Sequence, residues 1–297
     1  MKQPKISIII PTYNHANFLN KALRSVSSQT FEDWEAIVVN NFSEDDTEEV
    51  VKSFNDDRIS IINFRNNGLI AASRNHGIKN SNSDIIAFLD SDDSWFPEKL
   101  EICYKAITNG ADLVCHNENL VKDGKVLREL SYGPKEKSSY NEMLFSGNVI
   151  STSAVVVKKE HLLEAELFSE QKEHNTAEDY DLWLKLARLE INIEFINNVL
   201  GEYLLHESNN SGQVTRHLDA VISVTESHFN YVSAIEAERS HRLATIYYGA
   251  ARQASSQGNT ELAKTLFMKS LKMRPLYLKC LAGLALNSVK SLKNNEC

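Results

Sequence analysis

Three acids in four positions, Asp90, Asp92 and Asp93, follow directly on the apolar run Ile85-Ile86-Ala87-Phe88-Leu89. The run is short, bounded and rich in β-formers, which predicts a buried strand rather than a helix. Side chains alternate along an extended segment, so Asp90 and Asp92 are expected on one side with Ser91 turned away. Two carboxylates at a strand end suit a hard divalent cation, which takes oxygen ligands and often completes its shell with phosphate. Such an ion would also relieve the repulsion among the acids. The same residues admit a plainer reading, a solvated acidic turn with Asp93 capping a helix that opens at Pro97-Glu98-Lys99-Leu100. A second acidic group, Glu178, Asp179 and Asp181, precedes the helical apolar stripe Leu182, Trp183, Leu186, Ala187. Acids favour the first turn of a helix for dipole reasons alone, and an acid at a pocket rim is also where a general base belongs.

The elements that must carry these residues alternate. Apolar runs at 6–10, 34–39, 59–63, 85–89 and 112–115 read as strands. Helical stripes lie between them, one with Phe18, Leu19, Ala22, Leu23 and Val26, another with Ala71, Ala72, Arg74 and Ile78. The pattern predicts an α/β fold with a doubly wound, mainly parallel sheet. Ligands of such sheets bind beyond the carboxyl ends of the strands, where Thr12, Asn41, Asp90 and Asp92 should converge. Asp123-Gly124 suggests a hairpin into a strand at 126–130, and 148–157 reads as a strand entering the core. Residues 168–176 are polar without periodicity and predict a mobile loop; 199–205 reads as a last strand, with a loop over 206–212. From about Thr215 the chain is helical, dividing it into an α/β domain over 1–214 and a helical region over 215–297. Tyr247, Ala250, Ala251, Ala254, Gly258-Asn259, Ala263, Phe267 and Pro275 fall at the spacing of one tetratricopeptide-type helix pair, expected as a docked hairpin. The stretch 276–293 is amphipathic and carries Lys279, Lys290 and Lys293, which suits a packed helix or a peripheral membrane or protein contact.

Composition narrows the class. At 297 residues, 42% of them hydrophobic, the chain can bury a sizeable core. A net charge of −8 argues against nucleic acid or anionic lipid as the main target, and means that a phosphorylated substrate needs local cationic help. Four scattered cysteines predict a reduced protein without structural zinc. No signal peptide and no bilayer-spanning run are read, so a cytoplasmic location is expected. Neither GxGxxG nor GxxxxGK[ST] occurs, and no glycine-rich basic loop follows Ile10, which removes dehydrogenase, P-loop and nucleotidyltransferase readings.

Taken together, IIIPTYNHANFLNKALRSVSSQTFEDWEAIVVNNFSEDDT, NNGLIAASRNHGI, IIAFLDSDDSWFPEKL and AEDYDLWLKL resemble the family 2 glycosyltransferases of GT-A fold, in that family's order and spacing over roughly residues 4–210. The resemblance implies inverting transfer from a nucleotide-sugar donor, a UDP-sugar in particular, with Mn²⁺ or Mg²⁺ as cofactor. The acceptor it implies is a hydroxyl of a glycan or lipid-linked saccharide, and the setting is bacterial surface polysaccharide synthesis, possible at the inner face of the plasma membrane. Mapped by motif, Pro11, Thr12, Tyr13, Asn41, Arg74, Asp90 and Ser91 would meet the donor nucleotide. Asn41 stands where the family usually has an aspartate for uracil; its amide can still accept a hydrogen bond from a base N–H, without the charge. Asp92, with Asp90, matches the metal-holding DxD motif, and Arg74 would supply positive charge near the phosphates. Asp179 matches the catalytic base, with Glu178 and His206 in secondary roles, His206 toward the diphosphate. Trp95 and Trp183 are expected to be buried packing residues. The alternative is a catalytically idle nucleotide-sugar binder or a scaffold acting through its helical tail.

Overall fold

The computed structural model describes residues 3–206, 213–233 and 235–294, with side chains up to 290. Glu207–Gly212, most of the expected loop, and the side chain of Lys293 lie outside the described residues. Two compact units emerge. One comprises residues 1–143, 147–172 and 178–207; the other comprises 208–297 together with the short segments 144–146 and 173–177.

The first unit is α/β. In chain order it runs β1 (Ile6–Thr12), α1 (Ala16–Ser27), β2 (Trp34–Asn40), α2 (Thr47–Ser53), β3 (Ile59–Asn63), α3 (Ile70–Lys79), β4 (Ile85–Phe88), β5 (Ser94–Trp95), α4 (Lys99–Thr108), β6 (Leu113–Lys122) and β7 (Lys125–Leu130). Then follow α5 (Tyr140–Ser146), β8 (Val155–Lys158), α6 (Lys159–Glu164), α7 (Glu178–Arg188) and β9 (Ile193–Leu204). One nine-stranded sheet has the order β3-β2-β1-β4-β8-β6-β9-β5, with β7 paired to β6. The first four strands are parallel. β1 is buried along its whole length, as a strand covered on both faces must be.

The expected parallel α/β sheet is present over these four strands, and beyond β4 the sheet becomes mixed. β8 runs antiparallel to both β4 and β6, and β9 then lies parallel to β6. The expected strand at 148–157 shrinks to β8, because Thr152–Ala154 form a short helical turn first. The hairpin at Asp123-Gly124 is present as β6–β7. The expected mobile loop is fastened at its start. Asn75 accepts from the Phe168 N–H (3.0 Å) and donates to the Phe168 carbonyl (2.9 Å), and Phe168 packs edge-on against Phe88 and Trp183. The apolar ring, not the polar residues after it, decides the local order.

Gly77 sets how closely α3 lies on the sheet. A Cβ there would come within 2.5 Å of Ile9 and 3.2 Å of Val39, so only glycine permits this seating. One turn earlier, the same helix carries Arg74.

The second unit is helical: α8 (Val214–His228), α9 (Glu236–Ser256), α10 (Thr260–Met273) and α11 (Leu278–Asn294). The Gly258-Asn259 turn joins α9 to α10 as a hairpin, and Asn259 caps α10 by accepting from the Leu262 N–H. Ile246, Ala251, Ala254, Ala263, Leu266, Phe267 and Cys280 form the core of this unit.

Candidate functional site

Loops beyond the carboxyl ends of β1, β2 and β3 are tied to one another by hydrogen bonds. Asn41 donates its N–H to the Thr12 carbonyl (3.0 Å), and its Oδ1 accepts from the Asn66 N–H (3.0 Å). Asn66 in turn donates to Ser73 Oγ and accepts from the Gly68 N–H, fixing the entry to α3. An Asx-type loop of this kind holds its shape without regular structure. Thr12 is buried while Tyr13 is exposed. Pro11 is buried inside β1, where its backbone is in register with Val39. Of the three neighbours expected to line a base, Tyr13 is the accessible side chain.

The acidic stretch after β4 is a turn, not a continued strand. β4 stops at Phe88, and the Asp93 N–H bonds back to the Asp90 carbonyl (3.0 Å). Strand alternation therefore does not orient these acids; each is placed by its own partner. Asp90 binds Arg74, Oδ1 to Nη2 at 2.7 Å. Ser91 is buried with its Oγ 3.0 Å from His15 Nδ1. Asp92 Oδ2 lies 2.8 Å from His206 Nε2, and the His206 imidazole stacks on Phe18 with centroids 4.7 Å apart. Asp93 is no helix cap. It is buried, accepts from Ser153 Oγ (2.5 Å) and from the Leu204 N–H (3.0 Å), and so fastens the end of β9, two residues before His206.

Arg74 brings the two acidic motifs together. Its Nη1 binds Glu178 Oε1 at 2.7 Å while Nη2 holds Asp90, and its side chain is only 4% exposed. One guanidinium fork thus spans the strand-end acids and the first turn of α7. The charge expected to be available for a phosphate is already matched by two carboxylates. Asp179, the next residue, is partly exposed; its Oδ2 accepts from Thr152 Oγ1 (3.2 Å) and its Oδ1 from the Tyr180 N–H (2.7 Å). Trp95 and Trp183 are buried, as expected.

Negative charge dominates this region. Burial and the Glu178 charge push the Asp179 carboxyl up to about 6, against the pull of Arg74. Burial and Asp90 raise Asp92, and burial and Asp92 raise Asp93 well above the usual range. A cation in the turn would reverse these shifts. Asp92 and His206 have the chemistry to hold one, since two ligands of a single small divalent ion stand about 3 Å apart. Among the described residues no three His, Cys, Asp or Glu side chains form a ready-made cage. A Mg²⁺- or Mn²⁺-type site needs none, because substrate phosphates and water supply the remaining ligands.

Sequence reasoning missed Thr152, Ser153 and His15. Each is a small or polar residue whose partner lies 27 to 76 positions away, so no local pattern announces it.

With this geometry in view, the comparisons are decisive about kinship. Residues 7–162 match the family model described as glycosyl transferase family 2. This chain belongs to that family. It is 30% identical over 216 residues, 72% of this chain and 82% of the other, to the Escherichia coli UDP-Glc:alpha-D-GlcNAc-diphosphoundecaprenol beta-1,3-glucosyltransferase WfgD. It is 34% identical over 63% of its length to a Rickettsia bellii glycosyltransferase, of which it spans only 27%. Among solved structures it resembles S. aureus TarS 1-349 in complex with UDP-GlcNAc, with a TM-score of 0.66 at 18% identity over 98% of this chain and 92% of that one. It also resembles the Pyrobaculum calidifontis mannosyltransferase PcManGT in complex with GDP-Man and Mn²⁺, with a TM-score of 0.59 at 16% identity over 98% and 88%. These two likenesses establish the GT-A fold of this glycosyltransferase-family chain.

Proposed function

We propose that the α/β domain, residues 1–214, transfers a sugar with inversion from a nucleotide-diphosphate donor to a hydroxyl of a glycan or lipid-linked acceptor. The observation that carries this reading is the Arg74 fork, which joins the strand-end acids to the α7 acids around one site. Tyr13 and Asn41 are proposed to meet the base and Asp90 the ribose, with Thr12 and Ser91 shaping the pocket behind them. Asn41 Oδ1 already accepts from Asn66, and its second lone pair and its amide protons remain the means of reading a base edge. A UDP-sugar is the favoured donor, since WfgD takes its name from UDP-Glc and the TarS structure holds UDP-GlcNAc.

Asp179 is the proposed general base. It is positioned by Thr152 and held near neutrality by its surroundings, so it can take the acceptor proton as the hydroxyl attacks the anomeric carbon from the face opposite the diphosphate. A single base and in-line attack give inversion. Arg74 positions Asp90 and Glu178, so that the site stays open and correctly spaced. Asp92 and His206 are proposed to hold Mn²⁺ or Mg²⁺, which when bound neutralises charge on the departing diphosphate. The reading includes a role in bacterial surface polysaccharide synthesis at the inner face of the plasma membrane, supported by the lipid-linked acceptor in the name of WfgD.

The deciding experiment is Asp179→Asn with a panel of nucleotide sugars. Donor binding by calorimetry is expected to be nearly unchanged while turnover falls about 10²–10⁴-fold. Turnover at the parental rate removes Asp179 as base.

A further inference from the structure

The last helix of the helical unit has its apolar face on the wrong side for a packed helix. α11 meets its own unit through Cys280, Gly283, Leu284 and Asn287, spaced i, i+3, i+4, i+7. Cys280 Sγ bonds to the Phe267 carbonyl (3.4 Å), Asn287 Nδ2 donates to the Thr260 carbonyl (2.8 Å), and a Cβ on Gly283 would stand 2.7 Å from the Phe267 ring. The inward stripe is therefore mostly small or polar. Leu278, Leu281, Ala282, Ala285, Leu286 and Val289 make the opposite stripe, and every one of them is exposed. Leu278 is 75% exposed and Leu286 is 68%. A single leucine in water is ordinary; a continuous apolar stripe over three helical turns marks a surface that something covers.

Charge says what covers it. Residues 260–290 carry six Lys and Arg against one acid, Glu261, in a chain of net charge −8. Lys279 and Lys290 stand on α11 itself, and Lys264, Lys269 and Lys272 are exposed on α10. No described helix is long and apolar enough to cross a membrane. Leucines bordered by lysines on one helix match a segment lying in the headgroup region of an anionic bilayer.

We propose that α11 docks this protein on an anionic lipid surface. Leu278, Leu281, Leu286 and Val289 enter the acyl boundary, and Lys279 and Lys290 reach the phosphates on their flexible stems. The lysines of α11 thereby offset the repulsion that an acidic protein meets at such a surface. The inference does not depend on the transferase reading, because neither donor nor acceptor takes part.

Vesicle sedimentation of the full chain tests it, without donor or acceptor, using phosphatidylcholine alone and a phosphatidylcholine–phosphatidylglycerol mixture. Binding to the mixture alone is expected, weakening as salt is raised. Replacing both Leu278 and Leu286 by Asp is expected to lower it more than about tenfold, and Lys279→Gln or Lys290→Gln about fivefold each. All four side chains are exposed, so thermal melting should move by no more than the long Lys290 Nζ–Ser255 carbonyl contact (3.5 Å) contributes. Equal binding to both vesicle types, or binding indifferent to the leucine pair, overturns the proposal. So does a dimer in solution that the leucine substitutions dissociate while the parent ignores vesicles; the stripe would then be an interface between copies.

Discussion

Around Arg74 the α/β unit keeps charge out of water, whereas α11 of the helical unit leaves leucine in it. Both arrangements invert the usual partition of side chains, and each has a different physical reason for persisting. Buried charge survives when every ion is matched: Arg74 gives two N–H groups to Asp90 and Glu178, and burial, reinforced by the neighbouring carboxylates, raises the carboxyl pKa values of Asp92, Asp93 and Asp179. Exposed apolar surface survives because it leaves no buried donor, acceptor or charge unmatched. The contrast separates what holds a structure together from what the structure offers to a partner. It also forecasts how unequally the two regions respond to substitution.

The sharpest test removes the fork. Arg74→Ala leaves the buried Glu178, and the part-exposed Asp90, without their counter-charge, and breaking a buried pair by removing one member costs about 3–5 kcal/mol. Chemical denaturation should show that loss in the transition of the α/β unit. Arg74→Lys keeps the charge but not the fork, and should recover only part of it. If the alanine variant unfolds at the parental midpoint, the fork is a bystander and the account of the site as matched charge breaks.

A milder probe uses pH. Asp179 must be ionised to accept a proton, and its carboxyl sits at about 6, above the ordinary 3.8. Turnover should therefore fall about tenfold per pH unit below 6, a limb absent from whatever activity Asp179→Asn retains. The stability effect has the opposite sign. Between about 4 and 6 the native state binds more protons at this residue than the unfolded chain, so its contribution to stability declines as pH rises through that window. Asp179→Asn removes this cost, and at pH 7 should be at least as stable as the parent. An inactive variant that is also less stable at pH 7 would count against a carboxylate held in an unfavourable setting for its chemistry.

How much of this was legible before the coordinates differs by element. Convergence of Thr12, Asn41 and the Asp90–Asp93 acids follows from alternation of strand and helix, a rule that depends on chain order alone. The direction of β8 does not. Val155–Val157 is an apolar run too short to reveal whether it runs with or against β4, and its antiparallel placement comes from the sheet around it. Arg74 and Glu178 are 104 residues apart, and Asp93 reaches partners 60 and 111 residues away. No local window contains such pairs, so an acid that fastens β9 was readable only as a turn or a cap. α11 shows a subtler limit. Its amphipathic spacing was plain, but the period says nothing of which stripe faces in, and here Gly283 and Phe267 settle it by contact.

That contact gives the smallest predicted effect and the most direct test of the contrast. On the inward stripe, Gly283→Ala puts a methyl 2.7 Å from the buried Phe267 ring; the ring or α11 must shift, at a cost of about 1–3 kcal/mol, even though alanine is the better helix former. On the outward stripe, Leu286→Ala deletes three heavy atoms from a side chain already in water, and stability should stay within about 0.5 kcal/mol. An ordinary amphipathic helix responds the other way: adding a methyl to glycine helps and truncating leucine hurts. Matched thermal melts of the two variants decide between these patterns. Should Leu286→Ala prove the costlier of the two, the leucine stripe is a covered face in the free protein and α11 is not available to a lipid surface.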